Sequence, residues 1–171
     1  MPLHLIIDGY NLIRQSRELQ EIEARELKAG REALLNRLAA YRQSRAAHKI
    51  TVVFDGWQGG ELKEVRDRCQ GMAIVFSRRG EPADEVIKRL LAQERERAVV
   101  VSSDREIQEC AQRVGAAWIA SSEFEMRLAL DGAGEVVPDP WESSLPGTRK
   151  KGPARRLPKR QRQRLQRLKK L

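Results

Sequence analysis

Residues 3–11 read LHLIIDGYN, a short and largely apolar run that ends at Asp8-Gly9. A run of apolar residues without polar alternation predicts a strand that is covered on both faces. Asp-Gly after the run is a turn signal, because both residues favour the backbone angles of tight turns. The chain therefore opens on a predicted buried strand that carries a carboxylate at its carboxyl end.

Four further apolar runs resemble the first, and segments with helical periodicity separate them. This alternation is typical of a parallel sheet built from strand-helix-strand units, with helices on both faces. We therefore predict an α/β domain with a central, mostly parallel sheet. The four runs lie at residues 50–54, 72–76, 98–101 and 116–120.

Apolar residues spaced three and four apart predict the helices between the runs. Two helix starts also match the capping box, in which a Ser or Thr is followed three residues later by Glu or Gln. The last helix should stop near Asp131-Gly132, which predicts a domain of residues 1–131. The apolar positions are Leu27, Leu34, Leu35 and Leu38, then Val86, Ile87, Leu90 and Leu91, then Ile107, Cys110, Ala111 and Val114, and the capping pairs are Ser103 with Glu106 and Ser122 with Glu125.

The formal net charge of +9 is concentrated at the end of the chain. Residues 149–171 hold 12 of the 33 Lys and Arg residues and no acid, so the other 148 residues carry 21 basic and 24 acidic side chains. Residues 132–158 are rich in Gly, Pro and Ser and predict a linker. Residues 159–171 are basic with leucines three apart, which predicts a tail that becomes helical when bound to a partner.

Composition and patterning exclude several classes of protein. With 40% hydrophobic residues the chain can form a core, so full disorder is excluded. No apolar run approaches the 18 residues of a spanning helix, and no positively charged region precedes the first run as in a secretory signal. We therefore expect a cytoplasmic protein without a membrane partner. Cys69 and Cys110 fall in apparently helical segments and lack zinc-ligand spacing, so we expect two reduced thiols.

Polar side chains follow directly after three of the apolar runs. In an open parallel sheet, ligands bind beyond the carboxyl ends of the strands, so these residues are the candidate site. The helix predicted after Pro82 adds two acids in its first turn. The candidates are Asp8 and Asn11 after the first run, Asp55 after the second, Ser102 and Asp104 after the fourth, and Asp84 and Glu85 on the helix.

Several carboxylates on one rim raise one another's pKa values unless a cation neutralises them. Oxygen ligands without His or Cys favour Mg²⁺ or Mn²⁺ over zinc. Such an ion lowers the pKa of a bound water and stabilises a leaving oxygen, which is the chemistry of phosphodiester hydrolysis.

Each acid also has a structural alternative. Asp8-Gly9 and Asp55-Gly56 are turn signatures in their own right. Asp84 in a first helical turn complements the helix dipole and could pair with Lys88, and Asp104 could be a helix-start acid. The functional hypothesis depends on all of them sharing one predicted rim.

The ordered combination of DGYN, VVFDG, ADEVI and VVVSSD over residues 3–130 resembles the NYN-domain nucleases of the PIN-like superfamily, in the YacP-like branch. The resemblance implies a three-layer PIN-like (Rossmann-like) fold, a divalent metal and endoribonuclease activity, and members of this branch are associated with ribosome-linked mRNA cleavage. Carried over by motif, it makes Asp8, Asp84 and Asp104 the metal ligands, Asn11 an orienting residue and Ser102 a hydrogen-bonding residue, with Asp55 and Glu85 in support.

The basic residues are candidates for binding RNA. The alternative for Arg78 and Arg79 is a solvated loop, and the alternative for the tail is a membrane surface, which its few leucines and lack of aromatic residues disfavour. Arginine grips phosphate bidentately, and 12 unopposed charges favour a polyanion partner. If about six of them met single-stranded RNA, log affinity would fall with log salt at a slope of roughly −4. Tyr10 and Trp57 could stack on bases, whereas Trp118 is predicted to be core. The basic candidates are Arg78, Arg79, Arg105, Arg155, Arg156, Lys159, Arg160, Arg162, Arg164, Arg167, Lys169 and Lys170.

Three functions remain open on the sequence alone. The leading hypothesis is a metal-dependent endoribonuclease that cleaves mRNA, with Mg²⁺ or Mn²⁺ as cofactor and the ribosome as partner. The first alternative is a catalytically silent adaptor that binds RNA or the ribosome. The second, an aspartyl-nucleophile phosphatase, is disfavoured because that mechanism usually places a second Asp two residues after the first, where this chain has Tyr10.

Overall fold

The computed structural model describes residues 2–45, 48–56, 61–132 and 159–171. In these ranges six strands form one sheet, and helices lie on both of its faces. The strands are β1 (His4–Asp8), β2 (Lys49–Phe54), β3 (Val65–Cys69), β4 (Met72–Phe76), β5 (Ala98–Val101) and β6 (Ala117–Ile119). The helices are α1 (Gly9–Ile13), α2 (Arg17–Arg25), α3 (Leu27–Ser44), α4 (Ala83–Glu94), α5 (Arg105–Val114), α6 (Ser121–Gly132) and α7 (Lys159–Leu168), with a single 3₁₀ turn at Arg95–Arg97.

The strand order is β3-β4-β2-β1-β5-β6, and only the β3–β4 pair is antiparallel among the described strands. The chain builds outward from β1 to β2 and β4, then returns to the other side of β1 with β5 and β6. Strand order therefore reverses between β1 and β5. In open α/β sheets the crevice at such a reversal is where ligands bind.

Alternate side chains of each strand enter two separate cores, because successive residues of a strand point to opposite faces. Leu5 and Ile7 pack in one core with α1, α3 and α6, whereas Ile6 packs in the other with α4 and α5. All three side chains are fully buried. This arrangement confirms the predicted α/β class with a mostly parallel sheet covered on both faces.

All five predicted strands are present, and β3 is a sixth strand that its sequence does not predict. Its residues, VRDRC, are mostly exposed and lack apolar alternation. The strand forms by pairing with β4 through a tight turn, in which Gln70 and Gly71 both have positive φ. Cys69 therefore lies at the end of a strand, not in the helix expected from the sequence.

Two predicted helix starts are shifted in the structure. The N-cap of α5 is Asp104, whose carboxylate accepts hydrogen bonds from Glu106 N and Ile107 N. Ser103 was wrongly predicted to be the cap; its Oγ instead accepts from Ser121 N. Since α6 already begins at Ser121, Ser122 lies inside the helix and does not cap it.

Helix α7 packs on the domain itself, whereas its sequence predicted a segment that folds on a partner. Leu168 and Leu171 are buried in the core that contains α3 and α6. The Tyr41 hydroxyl donates to Leu171 O at 2.8 Å, and Arg127 donates to Leu168 O at 3.0 Å. These apolar and polar contacts within the chain supply the stabilisation that the basic segment would lack by itself.

Residues 133–158 lie outside the described part of the chain, so the predicted linker stays a prediction. None of the helices in the described ranges has both the length and the apolar character needed to cross a bilayer.

Gly9 directly follows β1, at a position that has no room for a side chain. A Cβ at this position would lie 2.3 Å from Cε1 of Phe54, which is fully buried. The Phe54 ring is held in turn by Tyr10, edge-on at 5.2 Å, and by Phe76, stacked at 5.6 Å. Only glycine therefore lets the turn after Asp8 lie against the second strand.

We expect Gly9→Ala to lower the free energy of unfolding by about 1–3 kcal/mol, the usual effect of overpacking a rigid core. Thermal unfolding of the purified variant measures this. In a Phe54→Leu background the same substitution should destabilise less, because the smaller side chain leaves room for the methyl group. An equal loss in both backgrounds would contradict the steric explanation.

Candidate active site

Asp8 is the central residue of the site. It ends β1, is 8% exposed, and is the N-cap of α1, where its Oδ1 accepts the Asn11 backbone N–H at 3.1 Å. Burial raises the pKa of the Asp8 carboxyl to about 6, although the hydrogen bond from Asn11 opposes the shift. Asp84 and Asp104 raise this pKa further through charge repulsion. The three acids therefore share one electrostatic environment, as the predicted rim requires.

Asp84 approaches this environment from the first turn of α4 and is half-buried. Its pKa is raised, first by burial and then by the negative charge of Asp104. Lys88 opposes the shift, while Glu106 and Asp55 add to it. The residue thus belongs to a cluster of like charges, in addition to complementing the dipole of α4.

Asp104 reaches the cluster from the loop after β5. Its Oδ1 caps α5, and its backbone N–H donates to Oγ of the fully buried Ser102 at 3.1 Å. Ser102 therefore contacts the backbone of the acidic cluster and holds the start of α5 in place. Asp104 is therefore a helix-start acid, as the structural alternative predicts, and it also belongs to the cluster of carboxylates.

Asn11 connects three strand ends through its side-chain oxygen. Oδ1 accepts the Ser103 backbone N–H at 3.0 Å and the Ser121 hydroxyl at 2.7 Å. Its backbone N–H binds Asp8, so residues following β1, β5 and β6 meet at this one side chain. The network positions Asn11 immediately beside the most buried carboxylate of the site.

Asp55 follows β2 and is steadied by Ser77. The Ser77 hydroxyl lies 3.5 Å from Asp55 Oδ1 and accepts the Gly56 backbone N–H at 2.9 Å. Ser77 is 1% exposed, and its own backbone N–H donates to Phe54 O. Asp55 therefore lies on the rim as predicted and acts on Asp84 through its charge.

Glu85 is turned toward solvent. Its Oε1 accepts from Lys88 Nζ at 3.0 Å, and Lys88 also donates to Glu106 at 2.6 Å. An Asp84–Lys88 pair was one alternative from the sequence, but Lys88 pairs with these two glutamates instead. Glu85 thus supports the surface of α4, while Asp84 faces the other acids.

The predicted RNA-binding arginines of the domain lie on its surface. Arg78 is exposed, with Nε 3.5 Å from Glu81 Oε2, and the exposed Arg79 donates its backbone N–H to Glu61 O. Arg105 pairs with Glu109 one turn later and is 90% exposed. All three guanidiniums are therefore accessible to a ligand.

The basic residues of α7 and of the short segment after it, residues 169–171, divide into two groups. The guanidinium of Arg164 lies 3.8 Å over the Trp118 ring and donates to Trp118 O, while Arg167 donates to Gly115 O at 2.8 Å. These two arginines attach α7 to the edge of the sheet. The exposed group is Lys159, Arg162, Lys169 and Lys170, and Arg155, Arg156 and the side chain of Arg160 lie outside the described residues.

Of the three aromatic candidates, the structure describes Tyr10 and Trp118, and both are half-buried. Tyr10 is half-buried, packs edge-on against Phe54, and its hydroxyl accepts from Arg31 at 3.0 Å. Trp118, predicted to be core, is half-buried beneath Arg164. Its position on an edge strand leaves one side open, and α7 covers it. Trp57 lies outside the described residues.

Among the residues that the structure describes, no three acidic, His or Cys side chains form a ready-made metal-binding group. The acids influence one another electrostatically without converging on a closed cage. Any ion held here would therefore need oxygen atoms from water or substrate to complete its coordination.

Comparison with known proteins bears on this arrangement. The family model of the YacP-like NYN domain matches residues 5–170, nearly the whole chain. The chain belongs to this family. The match reaches through α7, so the helix falls within the family's span. NYN domains are nuclease-like, and the fold of this chain is accordingly nuclease-like.

Individual relatives agree with the family assignment. The uncharacterized protein YacP of Bacillus subtilis (strain 168) is 33% identical over 88 residues, which are 50% of this chain and 49% of the relative. The aligned part thus spans about half the length of that relative. The crystal structure of Rae1 (YacP) from Bacillus subtilis has a TM-score of 0.63 at 25% identity, over 78% of this chain and 77% of that one. The crystal structure of a mutant of the same Rae1 protein also has a TM-score of 0.63, at 24% identity, over 77% of this chain and 78% of that one.

The sequence did not indicate the site roles of three serines of this NYN domain, of which Ser103 was predicted only as a helix cap. Ser77 and Ser121 are buried and support Asp55 and Asn11 respectively, and Ser103 donates its backbone N–H to Asn11. Each serine follows the end of an apolar run, as the candidate acids do, so the same pattern could have indicated them. A serine attracts less attention than an acid because it is also a common turn residue.

Proposed function

We propose that this protein is a metal-dependent endoribonuclease that hydrolyses phosphodiester bonds of mRNA, with the ribosome as its partner. One observation carries the proposal: the buried carboxylate of Asp8 lies within the repulsive field of Asp84 and Asp104 at the reversal of strand order. Repulsion within such a cluster opposes folding, because each acid opposes the ionisation of the others, and the helix caps that Asp8 and Asp104 provide do not require the three acids to lie together. mRNA and the ribosome are proposed from the family resemblance.

The donor chemistry fits Mg²⁺ or Mn²⁺. Mg²⁺ usually keeps several waters and binds through one or two carboxylates and a substrate phosphate, so a closed protein cage is unnecessary. Asp8, Asp84 and Asp104 would hold the ion, and all three offer the oxygen donors that such ions prefer. When bound, it supplies positive charge and an acidic bound water.

The other residues of the site would position and bind the substrate. Asn11 is held beside Asp8, while Asp55 and Ser102 support the rim on either side of β1. Arg78, Arg79 and Arg105 are exposed and would bind flanking phosphates. The exposed cations of residues 159–171 would add sequence-independent attraction to the RNA backbone.

Substitutions of two neighbouring acids on α4, Asp84 and Glu85, test the assignment of the site. We expect Asp84→Asn to slow cleavage at least on the order of 100-fold, because even indirect changes at metal sites reduce activity by about 10- to 100-fold. Glu85→Gln should retain about the wild-type rate, since it removes only an exposed ion pair with Lys88. The assay is cleavage of a translated mRNA in the presence of ribosomes, with Mn²⁺ or with EDTA.

Cuts that disappear both in EDTA and in Asp84→Asn support the proposal. Equal cleavage by Asp84→Asn and Glu85→Gln would reject the assignment of Asp84. Cuts that persist in EDTA would reject the metal.

A silent RNA- or ribosome-binding adaptor is the second candidate, favoured by the lack of a ready-made three-residue metal group among the described residues. It predicts that RNA binding is independent of divalent ions and that no variant changes RNA integrity. Identical RNA patterns for every variant, with retained RNA binding, would favour the adaptor.

A further inference from the structure

The carboxamide of Asn11 is oriented by its neighbours. Ser103 contributes a backbone N–H, which can only donate, so the Asn11 atom that faces it must be the oxygen Oδ1. The Ser121 hydroxyl lies 2.7 Å from the same oxygen and therefore donates to it. Both side-chain hydrogen bonds of Asn11 in the described residues thus end on Oδ1.

In this orientation, the Asn11 side chain has only its amide nitrogen, Nδ2, left to interact with a ligand. An Oδ1 that already accepts two hydrogen bonds has no lone pair left for a cation, whereas Nδ2 keeps two N–H groups. Asn11 is partly exposed, so its side chain is accessible to a ligand, and its backbone N–H binds Asp8, so the residue adjoins the proposed catalytic carboxylate. A fixed N–H donor suits a phosphoryl oxygen, whose negative charge grows during hydrolysis.

Ser121 is buried and makes hydrogen bonds that the start of a helix does not require. It is fully buried, although serines are mostly exposed in proteins. Its backbone N–H donates to Ser103 Oγ at 3.1 Å and its hydroxyl donates to Asn11 Oδ1, so Ser103 and Ser121 bind each other and both donate to the same Asn11 oxygen. Ser121 belongs to α6, a helix that contributes no acid to the candidate site.

We propose that Ser121 is a positioning residue, which locks the Asn11 carboxamide so that Nδ2 donates to the substrate phosphate and Oδ1 takes no part in binding metal. This role rests on the proposed nuclease function. Without the Ser121 hydroxyl, the amide keeps only the Ser103 contact and can rotate. A rotated amide would present its oxygen to the phosphate and repel it.

The first test needs no activity. In isotope-labelled protein, NMR reports the side-chain amide protons of Asn11, assigned by their loss in Asn11→Asp. Wild type, Ser121→Thr and the matched control Ser122→Ala, an exposed serine of the same helix, should show a resolved and slowly exchanging pair. Ser121→Ala should shift this pair toward the position of a solvent-exposed asparagine and speed its exchange. Unchanged Asn11 resonances in Ser121→Ala would overturn the proposal.

The second test uses cleavage kinetics. Ser121→Ala should lower kcat on the order of 10-fold or more with little change in KM, the usual size of a supporting-residue effect. Ser121→Thr should restore the rate, and Ser121→Ala should have no further effect in an Asn11→Ala background. Independent, multiplicative losses in the double variant would overturn the proposal. If wild type cleaves no RNA under any condition, the nuclease function fails, and the NMR result alone decides whether Ser121 fixes Asn11.

Discussion

Asp8→Asn is expected to abolish RNA cleavage and, in EDTA near pH 8, to make the protein more stable. The folded state raises the pKa of Asp8 from its ordinary value of 3.8 to about 6, mainly by burial. Above pH 6 the carboxylate is charged in both the folded and the unfolded chain, and burying that charge opposes folding. A rise in the Asp8 pKa from 3.8 to about 6 corresponds to about 3 kcal/mol, which we take as the upper bound of the gain in stability.

The sign of the pH dependence follows from proton binding. Between about pH 4 and 6 the folded protein holds a proton on Asp8 that the unfolded chain has released, so the wild type gains stability from this group as the pH falls. Asparagine does not ionise, so the advantage of Asp8→Asn should shrink toward about pH 4. The Asn side chain can still accept the Asn11 N–H and cap α1, since Asn and Asp are similar N-caps.

Chemical denaturation of both proteins at about pH 5 and pH 8, with EDTA or with Mg²⁺, measures these effects. Mg²⁺ should stabilise the wild type more than Asp8→Asn, because the ion binds the folded site and not the unfolded chain. A variant that is less stable than wild type at the higher pH in EDTA would contradict the electrostatic argument. Cleavage at the wild-type rate by Asp8→Asn would reject the catalytic assignment.

Substitutions on the exposed and on the buried side of residues 159–171 should separate RNA binding from folding. A variant with Lys159, Arg162, Lys169 and Lys170 all changed to Gln should keep the wild-type stability, because these side chains are exposed. If all four contact RNA, the slope of log affinity against log salt should become less negative by about 3, at roughly 0.7 per phosphate of a single strand. Filter binding to a single-stranded RNA at several salt concentrations measures the slope.

Leu168→Ala should behave in the opposite way. Leu168 is 9% exposed within the core, so its truncation should remove about 2 kcal/mol or more of stability and leave the salt slope unchanged. Leu165→Ala is the matched control, because Leu165 lies one turn earlier on α7 and is 41% exposed. Equal destabilisation by both leucine variants would contradict the observed docking of α7. An unchanged slope in the four-Gln variant would remove these cations from the RNA-binding surface.

The same contacts limit what deletion of the tail can reveal. Removing residues 159–171 takes away the cations, but it also uncovers Tyr41 and the Trp118 edge, which α7 and the residues after it contact. A loss of activity on deletion would thus not distinguish an RNA-binding tail from a structural one. Substitutions on the exposed face of α7 make that distinction.

The sequence by itself determined five of the six described strands and the location of the candidate site. Uninterrupted apolar runs specify strands covered on both faces, and the polar residue after each run marks the carboxyl end of a strand, where parallel strands present their ligands together. Asp8, Asp55 and Asp104 were found in this way. Asp84 was found because acids in a first helical turn are visible in the sequence.

Tertiary structure decided everything that depends on contacts between distant segments. Strand β3 forms because β4 offers it hydrogen bonds, and its own residues carry no strand pattern. Helix α7 is attached through Trp118 and Gly115, which lie 46 and 52 positions from their arginine partners, and it thereby diverts Arg164 and Arg167 from the RNA-binding set. Ser121 and Asn11 are separated by 110 positions and meet only because β1, β5 and β6 end side by side. Local patterns record which residues form strands and helices, but a hydrogen bond between two strand ends depends on the strand order, which no local pattern contains.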